Sequence, residues 1–441
     1  MLFRSPANIA TLNDGLYQDL AYSTSPNSLS ANWSVSSDAE SGVTKYWYAI
    51  TWGVVPPDPN STPIVVGWTD NGAATSVTKT GIAPTLGRVY YYLAKAQNGA
   101  GLFSAQPTVS NGILIDYTVP TTISYVYDGT GADIAYTTSA TTLASNWAAS
   151  SDPQSGVARY RYSIGTTAGA SDVVNWTDNA LLTNASISGL SLTDGTPYYF
   201  SVIADNNAGL STVAVTSNGQ IVDTSPPSDI TTANDGIGAD ISFSTSSSAL
   251  SANWSASSDP HSGIAKYWYA IGTSSGATNV VNWTDNSVAT GTTRSSLSLT
   301  DGTTYYFSIK SQNSASLMSN ATNTNGVLVD TSPPSTISTV NDGTGADISF
   351  SSISTELSAN WATSTDPHSG VARYWYAIGT SAGATDVADW TDSGLATGTT
   401  RTGLTIADGT TCYFSVKAQN NAGLLATAGI SNGQLVDTSP P

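Results

Sequence analysis

Short stretches of this chain alternate apolar and polar residues. In the segment LSANW at 250–254, the first, third and fifth residues are apolar and would share one face of an extended chain. The alternation continues in AKYWYAIG at 265–272 and in TTYYFSIKSQN at 303–313. A period of two residues predicts β-strands that bury one face.

The amino-acid composition favours strands over helices throughout. Ser, Thr, Gly, Asn and β-branched residues dominate, and only two of the 31 acidic residues are glutamates. Because strong helix formers are scarce, we expect short strands joined by turns and predict an all-β fold. The sequence has no apolar run of eighteen residues, so no membrane-spanning segment is expected.

One unit recurs four times along the chain. LSANW returns at Leu29–Trp33, Leu250–Trp254 and Leu357–Trp361, with LASNW at Leu143–Trp147, and the later copies are 107 residues apart. A unit of this length can bury a core of its own, so each repeat is predicted to fold as a separate domain. The predicted domains are residues 5–116, 117–223, 224–330 and 331–437, and residues 438–441 begin a further linker.

The predicted linkers are short and contain proline. They read DYTVPT at 116–121 and DTSPPS at 223–228 and 330–335. Proline favours extended polyproline geometry and restricts the residue before it. We therefore expect an elongated, semi-rigid rod of four domains.

The strand motifs resemble those of fibronectin type III domains. A strand ending in Trp, a strand Tyr-x-Tyr-x-Ile and the run Leu-x-Leu-x-Asp-Gly-Thr-x-Tyr-x-Phe are similar to the B, C, E and F strands of that family. The resemblance implies four immunoglobulin-like β-sandwiches, with Tyr90, Tyr198 and Tyr305 at the family's tyrosine corner. Cys412 replaces this tyrosine in the fourth repeat, which we expect to be the least stable. The surplus segment 272–286 is interpreted as an added or lengthened C′ strand.

Charge narrows the range of partners. The net charge of −18 argues against binding to nucleic acid or to anionic membranes, because their phosphates would repel the chain. The partners that remain are neighbouring copies in a fibre or surface layer, and surface glycans.

The only two histidines lie in the segment DPHSG, at His261 and His368. Gln154 and Glu40 hold the same position in the other two repeats, and glutamine neither titrates nor binds zinc well, so the position does not require a general base or a zinc ligand. We therefore predict a turn opened by aspartate, in which the histidine is incidental, and no catalytic site.

Recurring aspartates raise the possibility of calcium. The linker aspartates and the DPHSG aspartates are predicted to meet at the domain junctions, and a second candidate is the local segment DGTGAD. The alternative is that these aspartates only form turns. The candidate ligands are Asp223, Asp259, Asp330, Asp366, Asp128 and Asp133.

Three tryptophans of the C strand, Trp47, Trp268 and Trp375, are predicted to point away from the core beside outward tyrosines of the F strand, where they could stack on glycans. The alternative is cross-strand packing, with Lys266 and Lys310 covering the indole faces. Arg161 in the second repeat favours this alternative.

Taken together, these features predict a non-catalytic stalk, spacer or filament segment of a secreted or cell-surface protein, which we expect to be prokaryotic. Two alternatives stay open. One is a carbohydrate-binding or adhesive array, and the other is a spacer within a larger extracellular enzyme.

Overall fold

The computed structural model describes residues 4–53 and 64–440, and every regular element in that part of the chain is a β-strand. The chain divides into two compact units, Met1–Thr224 and Ser225–Pro441. No helix among the described residues has the length and apolar character needed to span a bilayer.

The first unit contains strands β1 to β18. Strands β1 to β9 are Leu12–Asp14, Tyr22–Ser23, Ser28–Trp33, Val43–Trp52, Ile64–Asp70, Ser76–Thr80, Val89–Asn98, Thr108–Val109 and Ile113–Ile115. Strands β10 to β18 are Val126–Asp128, Tyr136–Thr137, Leu143–Trp147, Val157–Gly165, Val174–Asp178, Asn184–Ile187, Pro197–Asn206, Val215–Thr216 and Gln220–Val222.

The second unit contains strands β19 to β36. Strands β19 to β27 are Ala233–Asp235, Phe243–Ser244, Leu250–Trp254, Ile264–Gly272, Val281–Asp285, Gly291–Arg294, Thr304–Asn313, Thr322–Asn323 and Val327–Val329. Strands β28 to β36 are Val340–Asp342, Phe350–Ser351, Glu356–Trp361, Val371–Gly379, Ala388–Asp392, Gly398–Thr402, Thr411–Asn420, Gly429–Ile430 and Gln434–Val436.

Each set of nine strands forms one two-sheet sandwich. In the third repeat the small sheet has the order β19-β21-β24, and the large sheet has the order β20-β27-β25-β22-β23, with β26 on the edge of β25. The chain therefore leaves the small sheet after β19 and joins the large one at β20, which runs parallel to β27. The other three repeats have the same arrangement among their described residues, which confirms the predicted tandem sandwiches.

Each sandwich has its own core. In the third repeat the apolar residues of LSANW, together with Tyr267, Tyr269 and Ile271, pack against Phe307 and Ile309. The four buried clusters each draw on residues of one repeat. The strands predicted from alternation are confirmed, and the domain boundaries at 116, 223, 330 and 437 stay predictions.

The tyrosine corner forms in three repeats. The hydroxyl of Tyr305 accepts the backbone N–H of Thr300 at 2.8 Å. Tyr90 and Tyr198 accept the equivalent bonds at 2.8 and 2.9 Å. The phenol thus satisfies a backbone donor in the turn before the strand that carries it.

Cys412 is fully buried at this position in the fourth repeat. Leu404 and Ile406, which precede it, are buried, whereas their counterparts in the third repeat, Leu297 and Leu299, are only partly buried. A groove of about 330 Å³ lies beside the loop, lined by residues that include Ile406 and Thr410. The smaller side chain is therefore compensated in part by inward packing of its neighbours.

In the third repeat the C, C′ and F strands are β22, β23 and β25. The C′ strand is present, and the C and F strands pair as predicted, but the outward tyrosines do not lie beside the tryptophans. Trp268 is opposite Lys310, whereas Tyr306 is opposite Gly272 at the far end of the pair. A Cβ atom at Gly326 would lie 2.6 Å from the Tyr306 ring, so the ring covers this glycine. The expectation of an outward Trp–Tyr pair was wrong because the register separates the two rings by four residues.

We predict that Tyr305→Phe lowers the free energy of unfolding of the third repeat by about 1 kcal/mol, because the Thr300 N–H loses its acceptor. Tyr306→Phe, at the outward neighbouring position, serves as the control. Hydrogen exchange followed by mass spectrometry on repeat-specific peptides measures the change, and the fourth repeat should exchange fastest in the wild type. Equal protection in all four repeats would contradict the role assigned to the corner.

Candidate functional site

The DPHSG segment is a turn organised by its aspartate. Oδ1 of Asp259 accepts the backbone N–H groups of His261, Ser262 and Gly263 at 3.0, 2.8 and 3.2 Å. Burial acts to raise the pKa of Asp259, but the hydrogen bonds from Asn313 and from these N–H groups outweigh it and lower the pKa. Gly263 has a φ of +69°, which glycine adopts without strain. The turn prediction is confirmed.

An asparagine on the F strand joins this turn to the preceding linker. Nδ2 of Asn206 lies 3.0 Å from Oδ2 of Asp116, from Oδ2 of Asp152 and from the carbonyl oxygen of Thr118. Its Oδ1 accepts the N–H of Leu210 at 2.7 Å, which fixes the orientation of the amide. Asp116 follows the last strand of the first repeat, so this amide connects the first repeat to the second.

The same group recurs between the third and fourth repeats. Nδ2 of Asn420 lies 2.9 Å from Oδ2 of Asp330, 3.1 Å from Oδ2 of Asp366 and 3.1 Å from the carbonyl oxygen of Ser332. Asp330 and Asn420 are almost completely buried. We call the group around Asn206 the first junction clamp and the group around Asn420 the second junction clamp.

The predicted calcium ligands are placed as follows. Asp330 and Asp366 come together as expected, with the amide nitrogen of Asn420 in contact with both carboxylates. Asp223 is buried at the end of the first unit. Asp259 lies in the second unit, where its Oδ2 accepts a hydrogen bond from the side-chain amide of Asn313. Within residues 4–53 and 64–440, no cluster of three or more His, Cys, Asp or Glu side chains suits a metal ion.

The DGTGAD carboxylates bind separate groups. Oδ1 of Asp133 accepts the N–H of Asp128 at 2.9 Å, and its Oδ2 accepts Asn218 at 2.8 Å. Oδ2 of Asp128 accepts the N–H of Gly219 at 2.9 Å. These contacts hold the DGTGAD loop against the turn at Asn218 and Gly219, just before strand β18. Calcium binding here stays a prediction.

The aspartates that open these loops are unusually buried. Asp14, Asp128, Asp235 and Asp342 are fully buried. Burial is the main cause that raises the pKa of Asp235 to about 6, with Asp240 adding to it and hydrogen bonds from Thr324 and Gly326 opposing it. The same cause raises the pKa of Asp14 to about 7.

The repeats differ in how they satisfy this carboxylate. Gln220 donates to Oδ1 of Asp128 at 3.2 Å, and Gln434 donates to Oδ1 of Asp342 at 3.1 Å. The third repeat has Val327 at this position, and Oδ1 of Asp235 has no hydrogen-bond partner among the described residues. The hydrogen bond from Gln220 opposes the effect of burial, which raises the pKa of Asp128 to about 6, and Asp235 lacks this donor.

The outward tryptophans belong to polar pairs with the F strand. Nε1 of Trp268 donates to Oε1 of Gln312 at 2.9 Å, and the Trp47–Gln97 and Trp375–Gln419 pairs have 3.0 Å contacts. The Lys266 ammonium lies 5.1 Å from the Trp268 ring centroid, but Lys310 lies over Trp283 instead of Trp268. The prediction that Lys310 covers the Trp268 indole was therefore wrong, because Lys310 covers the Trp283 indole.

Both members of this pair change together in the second repeat. Arg161 replaces the tryptophan, and Asp205 replaces the glutamine. Nε of Arg161 lies 2.7 Å from Oδ2 of Asp205, and Nη2 lies 2.8 Å from Oδ1, which is a bidentate ion pair. Burial alone would raise the pKa of Asp205, but hydrogen bonds from Arg161, Ser211 and Arg159 lower it to about 2. This exchange favours cross-strand packing, and glycan stacking stays a prediction.

No protein-family model and no curated protein matches this chain. Among solved structures, the FN1-FN3 domains of chicken CNTN1 share 18% identity, over 71% of this chain and 96% of that chain, with a TM-score of 0.31. The fibronectin(III)-like modules of Clostridium thermocellum CbhA share 13% identity, over 48% of this chain and 94% of that chain, with a TM-score of 0.29. The fold description rests on the chain's own sheet order and tyrosine corner, which are those of tandem sandwiches of fibronectin type III-like topology.

We predict that Val327→Gln lowers the pKa of Asp235 and raises the melting temperature at pH 7 more than at pH 5. The folded-state pKa is raised above that of an unfolded aspartate, about 3.9. The stabilising contribution of the protonated carboxyl is therefore present at low pH and is lost as the pH rises through about 6. An added amide donor offsets this loss by about 1 kcal/mol.

The reverse change, Gln220→Val in the second repeat, is the matched control and should lower stability at pH 7. Melting curves of the full chain at both pH values, with repeat-specific hydrogen exchange, measure the effect. A Val327→Gln shift of the same size at pH 5 and pH 7 would contradict the assigned role of Asp235.

Calcium at the second junction clamp can be tested with Asn420→Asp. This change removes two donor hydrogens and adds a third carboxylate, so calcium should raise the melting temperature of the variant more than that of the wild type. Measurements in EDTA and in excess calcium give both values. If neither protein responds, an ion between Asp330 and Asp366 is excluded.

Proposed function

We propose that the chain is a non-catalytic spacer, a run of sandwiches that forms a stalk or a length of filament in a secreted or cell-surface protein. The junction clamps are the main support for this proposal. A spacer has to hold successive domains in a fixed relation, and a buried amide shared by two carboxylates is a directional connection of that kind. Low Lys, Met and Cys content supports a place outside the cell.

The linkers are fixed at more than one point. Oδ1 of Asp116 accepts both the N–H and the Oγ1 hydrogen of Thr118, at 3.0 and 2.9 Å. Its other oxygen accepts Asn206 of the next repeat. The residue that ends one domain therefore orients its own linker and contacts the following domain at the same time.

The free-energy cost of removing the amide from the second junction clamp depends on the burial of the Asp330 carboxylate. Removing the Asn420 amide leaves the buried carboxylate of Asp330 beside that of Asp366 without the donor that they share. A hydrogen bond to a charged group contributes about 1.5–3 kcal/mol, and two like charges then repel each other. The junction should consequently open or reorient.

We predict that Asn420→Ala broadens the distribution of distances between the third and fourth repeats. Spin labels at the exposed positions 288 and 395, with distances from double electron–electron resonance, report on this junction. Asn98→Ala is the matched control, because Asn98 donates to Asp38 in the first repeat and to the carbonyl of Arg4 just before it, far along the chain from the third and fourth repeats. An unchanged distribution in Asn420→Ala would contradict a spacer held by its clamps.

Glycan binding through the tryptophans is the second function to test. If Trp268 and Trp375 stack on sugars, a glycan array should give binding that Trp268→Ala and Trp375→Ala abolish. Arg161→Ala in the second repeat is the control, since it should leave that binding unchanged. The absence of binding by the wild type would remove this alternative.

A further inference from the structure

The small sheet of the second repeat carries two exposed tyrosines on its outer face. Tyr127 lies on strand β10, and Tyr125 comes just before that strand. Their ring centroids are 4.4 Å apart and their planes differ by 21°, so the two rings stack on each other. Each residue is still 39% exposed. A stacked pair of this kind loses little side-chain freedom when a ligand packs against it.

The other three repeats have small polar residues at both positions. Threonine stands in place of Tyr125, and asparagine stands in place of Tyr127. The counterparts are Thr11, Thr232 and Thr339 for the first position, and Asn13, Asn234 and Asn341 for the second. Because three sandwiches form without aromatic residues here, the fold does not require the tyrosine pair.

The exchange at Tyr127 leaves a hydrogen-bond acceptor without its donor. In the third repeat, Nδ2 of Asn234 donates to Oδ1 of Asn253 on the neighbouring strand at 3.4 Å, and the first and fourth repeats have the same bond at 3.2 and 3.1 Å. In the second repeat Tyr127 is opposite Asn146 instead. Oδ1 of Asn146 consequently has no hydrogen-bond partner among the described residues.

A hydroxyl on strand β15 loses its partner in the same way. In the third repeat, Oγ of Ser251 lies 2.9 Å from Oγ1 of Thr293, which is opposite it. In the second repeat Ala144 takes the place of this serine, opposite Ser186. The exposed Ser186 hydroxyl therefore has no bond to another residue in the part of the chain that the structure describes, and it can donate or accept.

A groove continues from these residues toward the edge of the sandwich. It has a volume of about 600 Å³, and Gly129, Gly131, Ala144 and Ser186 are among its lining residues. Asn146 adjoins it, because its Nδ2 donates to the carbonyl oxygens of Gly129 and Gly131 at 3.0 and 2.9 Å. A groove of this volume is large enough for a small-molecule ligand.

We propose that this surface binds a short, uncharged oligosaccharide. We call it the tyrosine face and define it by Tyr125, Tyr127, Ala144, Asn146 and Ser186. The C–H groups of a sugar ring pack on the aromatic rings, while its hydroxyls donate to Oδ1 of Asn146 and bond to Ser186. None of the five residues is charged, which fits a neutral ligand better than an ionic one.

Proline-rich peptides are another class of ligand that packs on exposed aromatic rings. Proline has no N–H, so such a peptide offers few donors for Oδ1 of Asn146, whereas a sugar carries many hydroxyl donors. The acceptor without a donor therefore favours the sugar. The tyrosine face is also distinct from the tryptophan sites, because the second repeat has Arg161 at the tryptophan position.

The test screens the full chain on an array of neutral oligosaccharides and then titrates the bound sugar by calorimetry. The double change Tyr125→Thr with Tyr127→Asn introduces the residues of the other three repeats, so the variant should fold. It should weaken binding about tenfold or more, because both rings are lost and the new asparagine donates to Asn146. Tyr17→Thr, which removes a 95% exposed tyrosine from the first repeat, is the matched control and should bind as the wild type does.

Two further variants test the polar part of the site and its transfer. Ala144→Ser gives the Ser186 hydroxyl a partner and should weaken binding about two- to tenfold. The triple change Thr232→Tyr, Asn234→Tyr and Ser251→Ala rebuilds the tyrosine face in the third repeat and should add a second binding site to the calorimetric stoichiometry.

Three results would overturn the proposal: no sugar bound by the wild type, wild-type affinity in the double variant, or binding of proline-rich peptides alone in a parallel screen. The spacer function is judged separately, because its test is the distance distribution in Asn420→Ala. A chain that loses sugar binding but keeps its junctions would thus still serve as a spacer.

Discussion

Pairs of aspartates that share a single amide group connect the first repeat to the second and the third repeat to the fourth. In the second junction clamp, Asp330 is fully buried and Asp366 is half-buried, and the NH2 group of Asn420 lies within hydrogen-bond distance of both carboxylates. The amide carries no charge, so it avoids the desolvation cost of a buried cation. Each clamp is therefore one of the contacts by which a linker is bonded to the domain that follows it.

The repeats vary by exchanging interacting groups as sets. Trp and Gln on the C and F strands are replaced together by Arg161 and Asp205, so each outward pair keeps a donor and an acceptor. Gln220 and Val327 alternate beside the buried aspartate, so Oδ1 of Asp128 accepts an amide hydrogen bond, whereas Oδ1 of Asp235 has no partner among the described residues. In both places the backbone is kept while the chemistry of one contact changes.

The substitution at the tyrosine corner shows how far a single position can vary. Cys412 removes both an aromatic ring and a hydroxyl that would accept a backbone N–H, yet the fourth sandwich keeps the sheet order of the others. Its core is closed by Leu404 and Ile406. Packing therefore compensates in part for the lost volume, whereas apolar side chains cannot replace the lost hydrogen bond.

The sequence by itself determined the strands, the repeat and the turns, because these depend on neighbouring residues: alternation sets the buried face, and Asp259 opens a turn through N–H groups two to four residues away. The C′ strand and the tyrosine corner also follow from short motifs. The meeting of linker and turn aspartates was expected from the sequence, but only the tertiary structure decided that an asparagine joins them, since Asn206 meets residues 54 and 90 positions away. It also decided that Tyr306 lies away from Trp268, because strand register is a property of two paired segments and not of either alone.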